Sequence, residues 1–319
     1  MVRPSLCPAL AALAAASALA LAMVPSAAAS AASLLWHRDE IVQIEWKGTT
    51  WRVGGPIPVR VKTAVEEIHK DLHAKHLVLK ASDGRERRVR TTADESKLIR
   101  EDGYWNVDCD AGGLSDTPPP GKFELWYQIT DDRKSNSLYG TLYEVAKNPT
   151  ARLEKDANKL LALFETDEGP ILLGLRPDKA PRTVQNFVKL VSDGFYDGKT
   201  FHRIRRGALI QGGAVKPDGT VTTSASIPLE ASDLGHERGA ISMARLPADP
   251  NSGTCQFFFC ITSLKESCDG KYAVFGKVHE GIEVMDRIAL APVLVGPDNE
   301  KSKPVKPPVI QRVSIVEKP

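Results

Sequence analysis

The sequence has few cysteines, no excess of one charge and no internal repeat. Five cysteines among 319 residues are too few for a small scaffold held together by disulfides. Lys and Arg total 42 and Asp and Glu total 40, a near-balance that argues against a dedicated nucleic-acid binder, which carries a clearly basic face. The 42% hydrophobic and 26% charged residues are typical of a soluble globular protein. At about 150 residues per domain, this length predicts two domains.

The N-terminal segment lacks charge. No charged residue lies between Arg3 and Arg38, and residues 6–24 are mostly Ala and Leu, followed by Pro25 and small residues. This order is typical of a secretory signal peptide, predicted over residues 1–32. The alternative is an uncleaved membrane anchor, since about 20 apolar residues can span a bilayer. We expect cleavage, export to a periplasm or the exterior, and no stable membrane insertion afterwards.

Four cysteines would remain in the mature chain: Cys109, Cys255, Cys260 and Cys268. An oxidising compartment permits disulfides, but spacing alone assigns no pair, and buried free thiols are the favoured alternative. No Cys-x-x-Cys motif or histidine pair accompanies them at the spacing of a zinc site. His69, His73 and His76 could share a helix face, but no cysteine or carboxylate completes a ligand set. We therefore predict no metal and no cofactor.

Residues 35–148 have the pattern of short strands. Apolar and polar residues alternate with a period of two, and Gly-Gly, Asp-Gly and Pro-Pro-Pro-Gly separate the runs. The apolar positions of three such runs are Val42, Ile44 and Trp46; Ile57, Val59, Val61 and Thr63; and Phe123, Leu125, Tyr127 and Ile129. The pattern predicts an antiparallel β-sandwich, and Pro-Pro-Pro-Gly before the last strand resembles the closing hairpin of an immunoglobulin-like module. Residues 149–157 are predicted to be a linker.

Strands and helices mix in the second half. Pro181 suits a first helical position, and Gly194 suits a C-terminal cap, so we predict a helix over 181–193. Its apolar residues recur at i, i+3, i+4 and i+7: Val184, Phe187, Val188 and Val191. A second helix is predicted at about 281–290 and a final strand over 309–316.

Three blocks of sequence are far more specific. Residues 195–213 read Phe-Tyr-Asp-Gly-Lys-Thr-Phe-His-Arg-Ile-Arg-Arg-Gly-Ala-Leu-Ile-Gln-Gly-Gly. Residues 239–245 read Gly-Ala-Ile-Ser-Met-Ala-Arg, and 249–261 read Asp-Pro-Asn-Ser-Gly-Thr-Cys-Gln-Phe-Phe-Phe-Cys-Ile. Residues 269–278 read Asp-Gly-Lys-Tyr-Ala-Val-Phe-Gly-Lys-Val. In this order they resemble the cyclophilin family of peptidyl-prolyl cis/trans isomerases, over roughly residues 158–317.

The resemblance implies a mainly β protein whose C-terminal half is a closed eight-stranded barrel flanked by two helices. It also implies rotation about X–Pro bonds of exported polypeptides, assisting their folding. The partial double bond of the amide gives a barrier of about 18–20 kcal/mol. A donor directed at the prolyl nitrogen stabilises the twisted amide, and a permanently charged guanidinium suits that role. By the resemblance, this catalytic donor is Arg203.

The resemblance also assigns residues that would hold the substrate. An apolar pocket would grip the proline ring, and polar groups would hold the backbone around it. These substrate-binding residues are Phe201, His202, Leu209, Gln211, Ala244, Arg245, Gln256, Phe258, Cys268 and Tyr272. Gln256 and Phe258 share a strand face by parity, so both can point into one groove.

Two positions depart from the family pattern. Ala208 stands where a phenylalanine is usual, and Ser267-Cys268 replaces an aromatic–leucine pair. Both changes remove apolar contact area, at roughly 25 cal/mol per Å². They keep open a second hypothesis, a catalytically weak proline-binding chaperone or assembly module. A third, a hydrolase using His202 with a carboxylate, lacks a nucleophile-elbow motif. We expect proline-containing polypeptides as partners and no nucleic acid, and the partner of the N-terminal domain stays open.

Overall fold

The computed structural model describes residues 42–63, 76–89, 99–101, 104–112, 114, 116–130, 133–156, 159–296 and 299–319. The predicted signal peptide, His69 and His73 lie outside these ranges. The described part is mainly β, as predicted. It contains no helix long and apolar enough to cross a membrane.

The N-terminal half consists of two sheets that share a core. Its strands are β1 (Gln43–Trp46), β2 (Thr50–Arg52), β3 (Pro58–Thr63), β4 (Leu77–Lys80), β5 (Glu86–Arg88), β6 (Ile99–Glu101), β7 (Tyr104–Asp110), β8 (Gly121–Thr130), β9 (Arg133–Lys134) and β10 (Leu138–Val145). One sheet has the order β1-β3-β7-β6, and the other has β5-β4-β8-β10-β2 with β9 beside β8. The sandwich is antiparallel except for β2, which pairs with β10 in parallel.

The predicted alternation gives the sandwich its core. On β3 and just before it, Ile57, Val59, Val61 and Thr63 are buried, whereas Pro58 is exposed. Side chains from both sheets meet in one cluster, because alternate residues of each strand face the same layer. The rings of Trp46 and Trp51 lie 4.4 Å apart there, and Trp46 contacts Phe123 edge-on at 5.7 Å.

The C-terminal half is a closed barrel. Its further strands are β11 (Leu160–Thr166), β12 (Gly169–Leu175), β13 (Lys199–Arg205), β14 (Leu209–Gly212), β15 (Ala240–Met243), β16 (Phe257–Cys260), β17 (Val274–Glu280), β18 (Val293–Val295), β19 (Lys301–Pro304) and β20 (Val309–Glu317). Eight of these pair in the order β11-β12-β17-β15-β16-β14-β13-β20, and β20 pairs with β11 to close the ring. Phe164 packs inside it against Phe257 and Phe259, at 5.4 and 5.7 Å between ring centroids.

The described helices are α1 (Pro149–Asp156), α2 (Pro181–Ser192), α3 (Lys265–Cys268) and α4 (Ile282–Ala289). Helices α2 and α4 match the two predicted from periodicity within one or two residues at each end. The N–H groups of Arg182 and Thr183 donate to the Glu230 carboxylate, which caps α2 from a distant loop. Gly194 follows α2 with φ +66°, a conformation that glycine adopts without strain.

The predicted linker differs from the structure. Residues 149–156 form α1, and its Leu153 is buried in the same cluster as the barrel core. Burial of one apolar side chain against a neighbouring element stabilises a helix too short to show periodicity in the sequence. The two halves also share sheet hydrogen bonds, because the end of β10 pairs with β20 at Val145↔Val316.

Candidate active site

Three neighbouring strands of the barrel place the central residues in a row. Arg203 on β13 is paired with Gln211 on β14, and Gln211 is paired with Phe258 on β16. Directly opposite residues on paired strands project to the same side of a sheet. Residues from two separate sequence blocks therefore lie side by side on one face of the barrel wall.

A chain of hydrogen bonds runs through this row. Arg203 Nη1 donates to Gln211 Oε1 at 3.1 Å, and Gln211 Nε2 donates to Gln256 Oε1 at 2.8 Å. On its other side, Arg203 Nε donates to Glu300 Oε2 at 2.9 Å. The guanidinium is thus held from two directions. Sequence reasoning missed Glu300, which lies in a loop far along the chain from any of the recognised blocks.

An apolar cluster lies beside the polar chain. Its buried members are Leu209, Ala240, Phe258, Cys260 and Val274, with Ala244 and Tyr272 packed against them. The rings of Phe258 and Tyr272 meet edge-on, with centroids 5.6 Å apart and an interplanar angle of 90°. Cys268 is also buried, at 9% exposure. The structure therefore brings the predicted pocket residues Leu209, Phe258 and Tyr272 into one cluster.

Arg245 contributes to the edge of this cluster. Its guanidinium lies 4.7 Å from the centroid of the Tyr272 ring, and its Nε donates to the Lys271 carbonyl at 2.7 Å. The neighbouring Ala244 N–H donates to the Gln256 carbonyl at 2.8 Å. This contact ties the end of β15 to the residue before β16, so Gln256 has a fixed backbone next to Gln211.

Phe201 and His202 differ in how deeply their side chains are buried. The Phe201 side chain is fully buried and packs inside the barrel against Phe257 and Phe259, which differs from its predicted contact with substrate. It holds β13 in place instead, because its side chain lies on the core side of the strand. His202 is half-buried, and burial lowers its pKa, with the Arg203 charge acting in the same direction.

The surroundings of His202 bear on the hydrolase hypothesis. Its Nδ1 atom has no hydrogen-bond partner among the described residues. The groups that shift its pKa besides burial are Thr200, Gln256 and Arg203, none of which is a carboxylate. A neutral imidazole without an acidic partner is not prepared to activate a nucleophile.

A second polar group lies beneath Phe258. His236 Nδ1 lies 2.7 Å from Asp269 Oδ1, and His236 Nε2 lies 3.1 Å from Ser242 Oγ. His236 and Ser242 are fully buried, and Ser242 Oγ donates to the Ala273 carbonyl at 2.9 Å. The spacing is that of a serine-hydrolase triad, but a serine without access to solvent and with its proton engaged cannot attack a substrate. Because the imidazole stacks on Phe258 at 5.9 Å, the group instead supports the pocket floor.

The described cysteines and possible metal ligands form neither a disulfide nor a metal-binding group. Cys109, Cys255, Cys260 and Cys268 form no disulfide within the part of the chain that the structure describes, and the last three are buried. Burial raises the pKa of the Cys260 thiol to about 12. Within the described ranges, no group of three His, Cys, Asp or Glu side chains is placed to hold a metal ion.

Comparison with known proteins identifies the barrel. Residues 161–315 match the family model for cyclophilin type peptidyl-prolyl cis-trans isomerase/CLD. The chain is 36% identical over 187 residues to peptidyl-prolyl cis-trans isomerase-like 2 of Cryptococcus neoformans, covering 56% of this chain and 31% of that protein. It is 40% identical over 163 residues to peptidyl-prolyl cis-trans isomerase A of Dickeya dadantii, covering 49% and 84% respectively.

Solved structures give a similar coverage. A Cryptosporidium parvum cyclophilin type isomerase, crystallised in the presence of the dipeptide Ala-Pro, matches with a TM-score of 0.45 and 27% identity, over 50% of this chain and 99% of that one. The Dickeya relative, matched over most of its length, carries the assignment. The chain belongs to the cyclophilin-type peptidyl-prolyl cis-trans isomerase family.

Proposed function

We propose that the barrel catalyses cis/trans isomerisation of X–Pro bonds in polypeptides. The observation that carries this proposal is the fixed Arg203 guanidinium, bonded to Gln211, beside the apolar cluster around Phe258. A cation with N–H donors next to an aromatic pocket fits a proline ring and the amide that precedes it. No nucleophile is needed, because no covalent bond is broken in the reaction.

Arg203 retains donors for this role. A guanidinium has five N–H groups. Among the described contacts, Nη1 bonds to Gln211, while Nε and Nη2 approach Glu300 at 2.9 and 2.7 Å. At least two N–H groups are then available to a substrate.

Rotation of the amide exposes the lone pair of the prolyl nitrogen, which is delocalised in the planar ground state. A donor that bonds to this lone pair binds the twisted state more tightly than the planar one. Stabilisation by about 4 kcal/mol accelerates exchange roughly a thousandfold.

The pocket supplies the second requirement, a grip on the ring while the bond rotates. Phe258, Leu209 and Tyr272 offer an apolar wall, and Gln211 and Gln256 offer amides to the substrate backbone. Ala208 and Cys268 are small, which reduces apolar contact with the ring and favours broad selection over tight binding. The same two residues favour the second candidate, a proline-binding module that assists folding or assembly with little catalysis.

We extend the proposal to location and clients. The charge-free apolar segment before Arg38 supports removal of residues 1–32 and action on proteins exported alongside this one. N-terminal sequencing of the protein recovered from its native host tests this. A new N-terminus near residue 33 in an extracytoplasmic fraction supports export, and an intact N-terminus in the cytosol contradicts it.

Exchange spectroscopy on a short Ala-Pro-containing peptide tests the catalytic proposal. The cis and trans isomers of the free peptide interconvert over tens of seconds. Adding the full chain at a small fraction of the peptide concentration should broaden the cis and trans signals or produce exchange cross-peaks between them. An exchange rate equal to that of the free peptide contradicts catalysis. If peptide signals shift without faster exchange, the binding module is the correct function.

A further inference from the structure

The hairpin of β18 and β19 brings a carboxylate to the catalytic arginine. The two strands pair at Val293↔Pro304, and β19 lies beside β13. Glu300 immediately precedes β19, and its carbonyl accepts hydrogen bonds from the Gly296 and Ser302 N–H groups at 2.7 and 2.9 Å. The backbone from which this carboxylate extends is therefore fixed.

The Glu300 carboxylate lies between two arginines of β13. Its Oε2 lies 2.7 Å from Arg203 Nη2 and accepts from Arg203 Nε at 2.9 Å, and its Oε1 lies 2.7 Å from Arg205 Nε. Arg203 and Arg205 are two positions apart on one strand, so their side chains leave the same face. Without Glu300, two like charges would be neighbours there, and each would push the other from its position.

The contacts of Arg203 fix its guanidinium at three atoms. Gln211 accepts from Nη1, while Glu300 is bonded to Nε and close to Nη2. A single bond to Gln211 would leave the planar group free to rotate about that contact. An arginine that is already held in place loses less rotamer entropy on binding the twisted amide than a freely rotating one does. The Glu300 and Arg203 side chains are only 29% and 32% exposed, which limits screening by solvent.

We propose that Glu300 is a positioning residue for the isomerase reaction, acting through Arg203. This inference rests on the proposed function, because it assigns Glu300 a part in the same reaction. Glu300 orients the guanidinium so that its remaining N–H groups face the prolyl nitrogen. Since that donor acts on the twisted state, loss of Glu300 affects kcat more than KM.

The test compares Glu300→Ala and Glu300→Gln with a matched control. Glu237 also lies between two cations, Lys265 and Lys277, at 2.9 and 3.2 Å, but its side chain is 52% exposed and its ion pairs are with lysines. We expect Glu300→Ala to lower kcat about tenfold or more with KM changed less than about twofold. Glu300→Gln keeps the side-chain length and one acceptor, so its kcat should fall less than that of Glu300→Ala. Glu237→Gln should have the kcat of the wild type.

A double-variant comparison shows whether Glu300 acts through Arg203. In an Arg203→Ala background, Glu300→Ala should cause no further loss of kcat, because the two residues form one unit. An equal loss in both backgrounds overturns the proposal. An unchanged or higher kcat in Glu300→Ala alone also overturns it, the latter because Glu300 would then restrain Arg203 instead of orienting it.

A measurement without substrate separates this proposal from the proposed function. The Arg203 Nε–H signal in a ¹⁵N NMR spectrum, assigned by its absence in Arg203→Lys, should exchange slowly with water. Glu300→Ala should accelerate that exchange, and Glu237→Gln should not. If the wild type fails to catalyse exchange, the proposed function and the positioning role fall together, even where the NMR contact persists. If catalysis stands and Glu300→Ala leaves the Arg203 signal unchanged, only the positioning role is wrong.

Discussion

Gln211 Nε2 donates to Gln256 Oε1 at 2.8 Å, and this bond fixes which way the Gln211 amide faces. Arginine can only donate, so Gln211 must present its oxygen to Arg203 and its nitrogen to Gln256. Gln256, next to β16, therefore fixes the Gln211 amide, and this amide fixes the Arg203 guanidinium on β13. Catalysis by Arg203 should depend on Gln211 even though Gln211 itself transfers no proton.

Replacement of Gln211 by leucine keeps its size and removes both hydrogen bonds. Hydrogen bonds to charged groups contribute about 1.5–3 kcal/mol, so we expect kcat/KM to fall roughly ten- to a hundredfold. Peptide exchange rates measure the effect. Gln311→Leu, at an exposed position of β20, is the control and should retain the wild-type rate. A wild-type rate for Gln211→Leu would contradict the role assigned to this amide.

The contact between His236 and Asp269 beneath Phe258 should contribute to the free energy of unfolding. The backbone nitrogen and the ring Nδ1 of buried His236 both lie within 2.8 Å of Asp269 Oδ1. Asp269→Ala leaves these groups without an acceptor, which we expect to lower the free energy of unfolding by about 1–3 kcal/mol. Asp269→Asn keeps an oxygen in place and should lose less.

Urea denaturation measures these changes, with Asp286→Ala as the control. Asp286 is paired with Arg238 at the surface, with both side chains over 40% exposed, and such a pair contributes little. Equal losses for Asp269→Ala and Asp286→Ala would show that His236 does not depend on its carboxylate.

The half-buried His202 should make the free energy of unfolding depend on pH. Its pKa in the unfolded chain is about 6.5, and burial lowers the pKa in the folded protein. The unfolded state therefore binds the proton more readily, so the contribution of neutral His202 is present above pH of about 6.5 and is lost as pH falls towards the folded pKa. We expect the wild type to lose more stability than His202→Gln between pH 7.5 and 5 in parallel denaturation curves. Identical pH profiles would contradict a lowered pKa.

The four cysteines of the described residues form no disulfide there, which predicts a pattern of thiol labelling. Cys255, Cys260 and Cys268 are buried, and the raised pKa of Cys260 keeps it protonated near pH 8. We expect slow maleimide labelling of these three in the folded protein, and complete labelling of all four, including Cys109, in denaturant without reductant. Peptide mapping measures each site. A peptide pair joined by a disulfide would contradict the structure.

Elements whose pattern is local could be predicted from the sequence. The alternation through Phe123 and Leu125 indicates which side of a strand faces a core, and the periodicity through Val184 and Phe187 does the same for a helix. The structure confirms both the strand and the helix. The row formed by Arg203, Gln211 and Phe258 could be predicted only through the family resemblance. Arg203 and Phe258 come together by strand pairing across the barrel, which no local spacing encodes.

The missed features depend on contacts between distant segments. Glu300 lies in a polar loop, where one more acidic residue carries no signal until the hairpin folds beside β13. His236 and Asp269 are far apart in the chain, and ordinary spacing rules for catalytic groups do not connect them. The family resemblance assigned Phe201 to substrate binding, but its side chain is fully buried in the barrel. A register shift between Phe201 and Arg203 on β13 lets these two side chains lie on opposite faces of the strand.

The exchange rate of one X–Pro peptide with the wild type, Arg203→Ala and Arg203→Lys measures the contribution of the guanidinium. Lysine keeps the positive charge but lacks the planar guanidinium, which can donate to Gln211 and to Glu300 at the same time. We predict catalysis by the wild type, a loss of about a hundredfold or more in Arg203→Ala, and only a small recovery in Arg203→Lys. Wild-type rates in Arg203→Ala, with the fold retained, would contradict the central claim that this guanidinium stabilises the twisted amide.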